Sequence, residues 1–370
     1  MKKLKICLVS LTFAPDSQDG SAKFITGVYN YLKSQGHKVK VITGLWNRKL
    51  NDPDIIQIKI INKSFLWIPQ FIYHVIKHLK TDEFDIIHGN GPKGSMPLLF
   101  LRKLKFISTI HDLGPIETSF SRIPLEKYLI KKTIEKAKFI TTCSESIKQQ
   151  ILSIFENIPS IKIFNLYSAI ESKFKPYEVE SKILKEKLGL SGPIMLYIGR
   201  IANYKGVPDI INAYNIAKKR IENLELVIGG TPDFSMRDTY QMWKKEYPDI
   251  HFMGFIPTNQ IAIYYTMADV FITYSYASEG FGLTPIEAIA CGTPVICSDI
   301  KVFREVLQDN AIFVPPKNPK MLSEAIFNLL TNENYRINLI EKGYNYIKRF
   351  SWKSVGYKME QIYKKILQIQ

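Results

Sequence analysis

Short runs of apolar and β-branched residues recur along the chain, each followed by a stretch whose apolar positions return every three or four residues. Runs at 4–10, 39–43, 55–61, 84–88, 106–111 and 139–142 predict strands, with helices over 22–33 and from about Ser144. The first of those helices stops at Gln35-Gly36. The pattern restarts beyond Pro176, where runs at 194–198, 225–229, 250–252, 270–273 and 294–297 predict further strands with helical segments between them. Strands alternating with helices build βαβ units and a parallel sheet. Two such series in tandem, without sequence repetition, predict an α/β protein of two doubly wound domains facing across a cleft. Ligands in these sheets bind beyond the carboxyl ends of the strands. The link between the domains falls near 168–192, and 351–370 reads as a terminal helix.

A length of 370 residues and an apolar fraction of 46% suit two globular domains, each with its own core. No run approaches the roughly 18–20 apolar residues that span a bilayer. Residues 1–10 read as a first buried strand and not as a signal peptide. Cys7, Cys143, Cys291 and Cys297 lack metal-ligand spacing, which fits reduced cytoplasmic thiols. The net charge of +16 is uneven: residues 1–176 carry 27 basic against 14 acidic side chains, and 177–370 carry 23 against 20. A basic first half fits nucleic acid, an anionic membrane surface or a phosphorylated substrate. The plain alternative is a lysine-rich composition without a partner.

Residues 279–294 place Glu279 and Glu287 on either side of a glycine turn and a helix start. Thr284 suits the N-cap, Pro285 the first helical position and Glu287 the acid of a capping box. A glycine turn running into a helix N-terminus offers backbone N–H groups and the positive end of the macrodipole to an anion. With a carboxylate on each side to accept from hydroxyls, the segment suits a sugar joined to a nucleoside diphosphate. The plainer reading keeps Glu287 as a capping residue and Glu279 as a solvated acid.

Other strand ends carry weaker signals. Gly199-Arg200 closes the strand over 194–198, and Lys205-Gly206 follows. A guanidinium fork and an ammonium point charge together neutralise a diphosphate, although surface charge has the same look. The loop 13–24 holds Gly20-Ser21 before a helix, a second anion-ready N-terminus or an ordinary turn. His111-Asp112 closes the strand over 106–111, as a structural or a catalytic histidine. Gly229-Gly230 and Met253-Gly254-Phe255-Ile256 read as turns beside a base and ribose, or as plain strand ends.

The strings Glu-Gly-Phe-Gly-Leu, Pro-Ile-Glu-Ala and Ala-Cys-Gly-Thr-Pro-Val closely resemble the signature of the retaining glycosyltransferases of family 4, the glycosyl transferases group 1. That resemblance implies the GT-B fold: two Rossmann-like doubly wound domains facing across a cleft. It implies an acceptor-binding domain over 1–175, with 351–370 packing back on it, and a nucleotide-sugar donor-binding domain over 176–350. It implies a hexosyl transfer from a UDP- or GDP-linked sugar to a hydroxyl, with the anomeric configuration retained. Arg200 and Lys205 then hold the diphosphate and stabilise the leaving group, helped by the backbone of Gly282, Leu283 and Thr284. Glu279 bonds sugar hydroxyls, Glu287 takes the ribose diol, and His111 contacts the donor sugar. Gly20, Ser21, Gly199, Phe255, Ile256, Gly280 and Phe281 complete the donor site. Because basic residues meet the diphosphate's charge, neither a metal nor another cofactor is expected.

The chain departs from the family pattern in three places: Ser21 replaces a usual glycine, Tyr167-Ser168-Ala169 a Pro-Asn-Gly, and Tyr274-Ser275 a Pro-Ser. The apolar, aromatic stretch 65–80 ends in basic residues, and 98–106 and 122–138 add Lys and Arg. Such a surface rests on anionic lipid or packs against the first sheet. A lipid-linked saccharide acceptor of bacterial cell-surface polysaccharide synthesis, met at the inner face of the cytoplasmic membrane, is the expectation. The rival readings are a GT-B-type nucleotide-sugar epimerase, a sugar phosphorylase, or a basic nucleic-acid-binding protein. For the last, the chain has no recognition motif and no aromatic–basic interleaving.

Overall fold

Seven parallel strands form the first sheet: β1 (Lys5–Ser10), β2 (Lys38–Leu45), β3 (Ile55–Lys59), β4 (Ile86–Asn90), β5 (Ile107–Ile110), β6 (Phe139–Thr142) and β7 (Ile163–Asn165). Their order is β3-β2-β1-β4-β5-β6-β7. Six more form the second: β8 (Ile194–Ile198), β9 (Glu225–Gly229), β10 (Ile250–Gly254), β11 (Val270–Thr273), β12 (Val295–Ser298) and β13 (Ile312–Val314), in the order β10-β9-β8-β11-β12-β13. The central strands are buried along their whole length, as expected where helices cover both faces of a parallel sheet. The computed structural model describes residues 3–17, 19–61, 66–79, 83–101, 105–113, 124–276 and 279–369.

Two strands escaped the periodicity reading. β7 and β13 are three residues each, at sheet edges, too short for an apolar run to stand out. β4 also begins two residues downstream of the expected 84–88, just after Asp85, whose side chain accepts from the Lys5 N–H at 2.8 Å. The ladder then continues through Gly89 and Asn90, opposite Val9 and Ser10, which hydropathy does not mark. That shift carries Asn90 to the carboxyl edge.

The chain divides into two compact units, Met1–Ala169 with Phe350–Gln370, and Ile170–Arg349. The last helix, Trp352–Ile369, buries Val355, Met359, Ile362, Tyr363 and Ile366 in the core of the first unit, beside Phe24, Val28 and Leu32. It lies close to the helix Gly20–Ser34. A Cβ on Gly356 would stand 2.1 Å from Tyr31 Cγ. Gly356→Leu is therefore expected to cost about 1–3 kcal/mol through overpacking. Urea denaturation followed by far-UV circular dichroism checks this, and an unchanged first-unit midpoint would refute the close fit.

Part of the aromatic stretch is packed. In the helix Trp67–His78, Ile68, Phe71 and Val75 are buried while Tyr73 is 61% exposed. Phe65 and Lys80 of that stretch, and Arg102, Lys103 and Arg122 of the basic stretches, lie outside the described residues. Among the described residues, no helix is long and apolar enough to cross a membrane.

Candidate functional site

The strand order of the second sheet reverses between β8 and β11, and the loops leaving those two strands hold most of the predicted residues. Such a switch point is where open α/β sheets bind ligands. Arg200 follows β8, its backbone carbonyl accepting from the Tyr197 hydroxyl at 2.9 Å. Its guanidinium donates to the Tyr204 hydroxyl at 2.7 Å. Burial works against that charge, but Tyr204, Asp233 and Glu279 outweigh it and hold the arginine more firmly protonated. Lys205 Nζ donates to Glu279 Oε1 at 2.5 Å, both side chains being largely buried. The Ser275 hydroxyl donates to the same carboxylate oxygen. The family resemblance assigns Lys205 and Glu279 to different parts of a ligand; the fold pairs them.

The helix after this loop runs Leu283–Ala290, and its N-cap is Gly282, not Thr284. Gly282 has φ +83°, and a Cβ there would stand 2.7 Å from Phe303 Cε1. Only glycine suits both conditions. Gly282 has no side chain with which to cap the helix start, so the expected Thr284–Glu287 capping box does not form. Thr284 and Pro285 lie two residues deeper in the helix than expected, and Glu287 sits beyond its first turn. Glu287 is instead a buried acid, 5% exposed, near the Tyr265 hydroxyl at 3.4 Å. Burial, with the Glu287 charge adding to it, pushes the neighbouring Cys291 thiol up to about 12.

The remaining donor candidates divide by what their side chains do. Gly199 N–H donates to Gly229 O, and Gly230 N–H to Gly254 O at 2.7 Å, which draws the ends of β8, β9 and β10 together. Phe255 is 72% exposed beyond β10. Ile256 and Phe281 are buried, so their side chains belong to the core and only their backbone is on offer. Gly280 and Leu283 flank the turn and are half-buried.

In the first unit a cavity of about 230 Å³ opens at the corresponding switch point, between β1 and β4. His111, Asn90, Asp19, Ser21, Thr12 and Lys93 are among its lining. Gly20 and Ser21 begin the helix Gly20–Ser34 as expected, but its N-terminus is not open to an anion in the way the sequence implies. Asp19 is the N-cap, and its carboxylate accepts from Ala22 N–H at 2.9 Å and from the Ser21 hydroxyl at 2.6 Å. Burial opposes the Asp19 charge, but bonds from Ser17, Ser21 and Ala22 outweigh it and hold the carboxyl below its usual range. A resident carboxylate disfavours a second anion at this point.

His111 stands just past β5, its ring edge-on to Phe24 with centroids 5.0 Å apart. Its Nε2 lies 2.8 Å from Asn90 Oδ1. Burial lowers its pKa to about 4, against a smaller opposing pull from Asp19. The imidazole is therefore neutral near pH 7. Its neighbour in the network, Asn90, is 3% exposed and was not legible as a site residue, because the apolar run of β4 fades at Ile87. Tyr204 and Ser275 were missed too; proximity to Arg200 and Glu279 was their only signal. Asp52 and Asp54 form an Asp-x-Asp string, but both already have partners: Tyr29 donates to Asp52 at 2.7 Å, and Lys33 to Asp54 at 2.7 Å.

Comparison with known proteins gives the family and the fold. The family model described as Glycosyltransferase Family 4 matches residues 18–171, and that described as Glycosyl transferases group 1 matches residues 180–346. An uncharacterized glycosyltransferase of Methanocaldococcus jannaschii is 26% identical over 98% of both chains. The O-antigen chain mannosyltransferase B of Escherichia coli is 25% identical, over 74% of this chain and 72% of its own. Among solved structures, Anabaena HepE in complex with UDP and glucose superposes with a TM-score of 0.80 at 16% identity, covering 98% of this chain and 100% of the other. That last likeness is one of fold.

Proposed function

The chain belongs to the group 1, family 4 glycosyltransferases of GT-B fold, and from that premise we propose that it moves a sugar from a nucleoside diphosphate sugar to a hydroxyl acceptor with retention of configuration. The observation that carries this reading is the clustering of Arg200, Lys205 and Glu279 beside the glycine-capped helix Leu283–Ala290. Two cations and a helix N-terminus at one switch point suit the charge of a diphosphate. Glu279 bonds the sugar hydroxyls and Glu287 the ribose diol. His111 is assigned to the donor sugar. In the reaction the acceptor oxygen bonds to the anomeric carbon as the bond to the diphosphate breaks, on the same face. The acceptor proton passes to the departing phosphate oxygen, so no side chain has to act as base. Catalysis then consists of positioning and of stabilising the charge that develops on the diphosphate. Arg200 and Lys205 supply that stabilisation, and the reading assigns no metal.

A lipid-linked saccharide at the inner face of the cytoplasmic membrane is the proposed acceptor. The basic first half supports it, as does the O-antigen role named for the Escherichia coli relative. A thermal-shift screen against UDP, GDP, ADP and phosphate tests the donor site. A nucleoside diphosphate at ~100 times its Kd adds about 2.7 kcal/mol of stability. A shift with one base identifies the donor nucleotide; no shift with any of them rejects the reading. With a donor in hand, the anomeric coupling in the product tests retention. Nucleotide-sugar turnover without acceptor would point to an epimerase, and phosphate-dependent release to a phosphorylase.

A further inference from the structure

Asn90 ends β4 next to Ser10, the last residue of β1, where the order of the first sheet reverses. Its Nδ2 lies 3.0 Å from Ser10 Oγ and 3.0 Å from the Ser21 carbonyl. Ser10 Oγ donates its own proton to Thr12 O at 2.6 Å. Both neighbours on this side of the amide are therefore acceptors: a carbonyl has no proton, and the serine has committed its own. The amide must turn its NH2 toward them, which leaves Oδ1 facing His111 Nε2 at 2.8 Å. An amide oxygen only accepts, so Nε2 carries the hydrogen. In a neutral imidazole Nδ1 then keeps its lone pair.

We propose that Asn90 is a positioning residue that locks His111 in its Nε2–H tautomer, so that Nδ1 accepts a hydrogen bond from a hydroxyl of the sugar substrate. The inference rests on the transferase reading for the identity of the ligand, but its geometry does not. The low proton affinity that burial gives His111 agrees with it, because the lock needs an uncharged ring. Asp19 pulls the other way, favouring the imidazolium. His88, one strand over, is neutral too: burial takes its pKa to about 3, between Tyr363 and Thr109 at 2.6 Å each. Lys93 lines the same cavity and pairs with Glu126 at 2.7 Å, while Asp112, beside His111, is exposed. An amide at position 90 accepts the Nε2 hydrogen without a charge of its own, whereas a carboxylate there would hold a second proton on the ring. His111 thus orients a hydroxyl and transfers no proton.

The test combines selective 15N-histidine NMR of the full chain with steady-state kinetics on wild type, Asn90→Ala, Asn90→Asp and Ser10→Ala. Wild-type His111 should show a pyrrole-like Nε2 and a pyridine-like Nδ1 that do not change between pH 6 and 8. Asn90→Ala should give mixed tautomers and lower kcat roughly tenfold to a hundredfold, the scale of one misplaced buried hydrogen bond. Its Kd for the nucleoside diphosphate, measured by calorimetry, should stay within twofold. Asn90→Asp should restore the Nε2–H and add an ionisation, so that its activity recovers as pH rises. Should Asn90→Ala fail to fold, the shifted pH profile of Asn90→Asp and the loosened tautomer in Ser10→Ala carry the same prediction. A wild-type Nδ1–H tautomer, or sugar transfer by Asn90→Ala at the wild-type rate, overturns the proposal alone. A locked tautomer in a protein that binds no nucleoside diphosphate supports the lock and rejects the transferase reading instead.

Discussion

Lys205→Ala and Arg200→Ala are each expected to lower kcat at least ~100-fold, the scale for losing one group that stabilises developing charge. The two cations are held differently. Lys205 is fixed by Glu279, so its ammonium sits in a set place before any diphosphate arrives. Arg200 is 2.7 Å from the Tyr204 hydroxyl and has the fork geometry that a phosphate takes bidentately. Arg200→Lys should therefore recover little, because an ammonium cannot replace the fork. Lys205→Ala also takes away the ammonium that bonds the Glu279 carboxylate. The double variant Lys205→Met/Glu279→Gln, compared with Glu279→Gln alone, separates that side effect from the loss of the cation. Single-turnover rates with saturating donor are the measurement, and near-wild-type rates in either single variant would remove the residue from the mechanism.

Glu287→Gln should raise the donor KM roughly tenfold, about the cost of one hydrogen bond to a charged partner, with kcat within a few-fold of wild type. The structure makes this a clean test. Because the helix Leu283–Ala290 begins on Gly282, Glu287 does not stand at the capping-box position, and an isosteric amide keeps its volume beside Tyr265. Nucleoside diphosphate affinity by calorimetry and the melting temperature should part company: weaker binding, little change in melting. A fall in melting temperature with donor affinity intact would make Glu287 a structural acid.

Much of this site was legible in the sequence where local chemistry and chain order coincide. Gly199, Arg200, Lys205, Glu279 and Gly282 all stand at strand ends or turns, and the strand order brings them to one switch point. What escaped needed the third dimension. The role of Glu287 depends on where the helix begins, and a glycine with φ +83° shifted that start by two residues. Asp19 was invisible as an N-cap because the glycine and serine after it look like the anion site that it fills. Asn90 ends a strand whose apolar signal has already faded, and its partners lie at positions 10, 21 and 111. β7 and β13 are simply too brief for periodicity.

The return of Trp352–Ile369 to the first unit also bears on how the protein is made. A chain leaving the ribosome N-terminus first has every residue of the second unit available before the first unit has its last helix. Phe24, Val28 and Leu32, which that helix covers, must wait while residues 170–349 are synthesised. At about 5–20 residues per second this takes roughly 10–40 s. The unit that begins the chain is thus completed last, and until then its unfinished apolar seat is open to whatever chaperone or stray nascent chain meets it first.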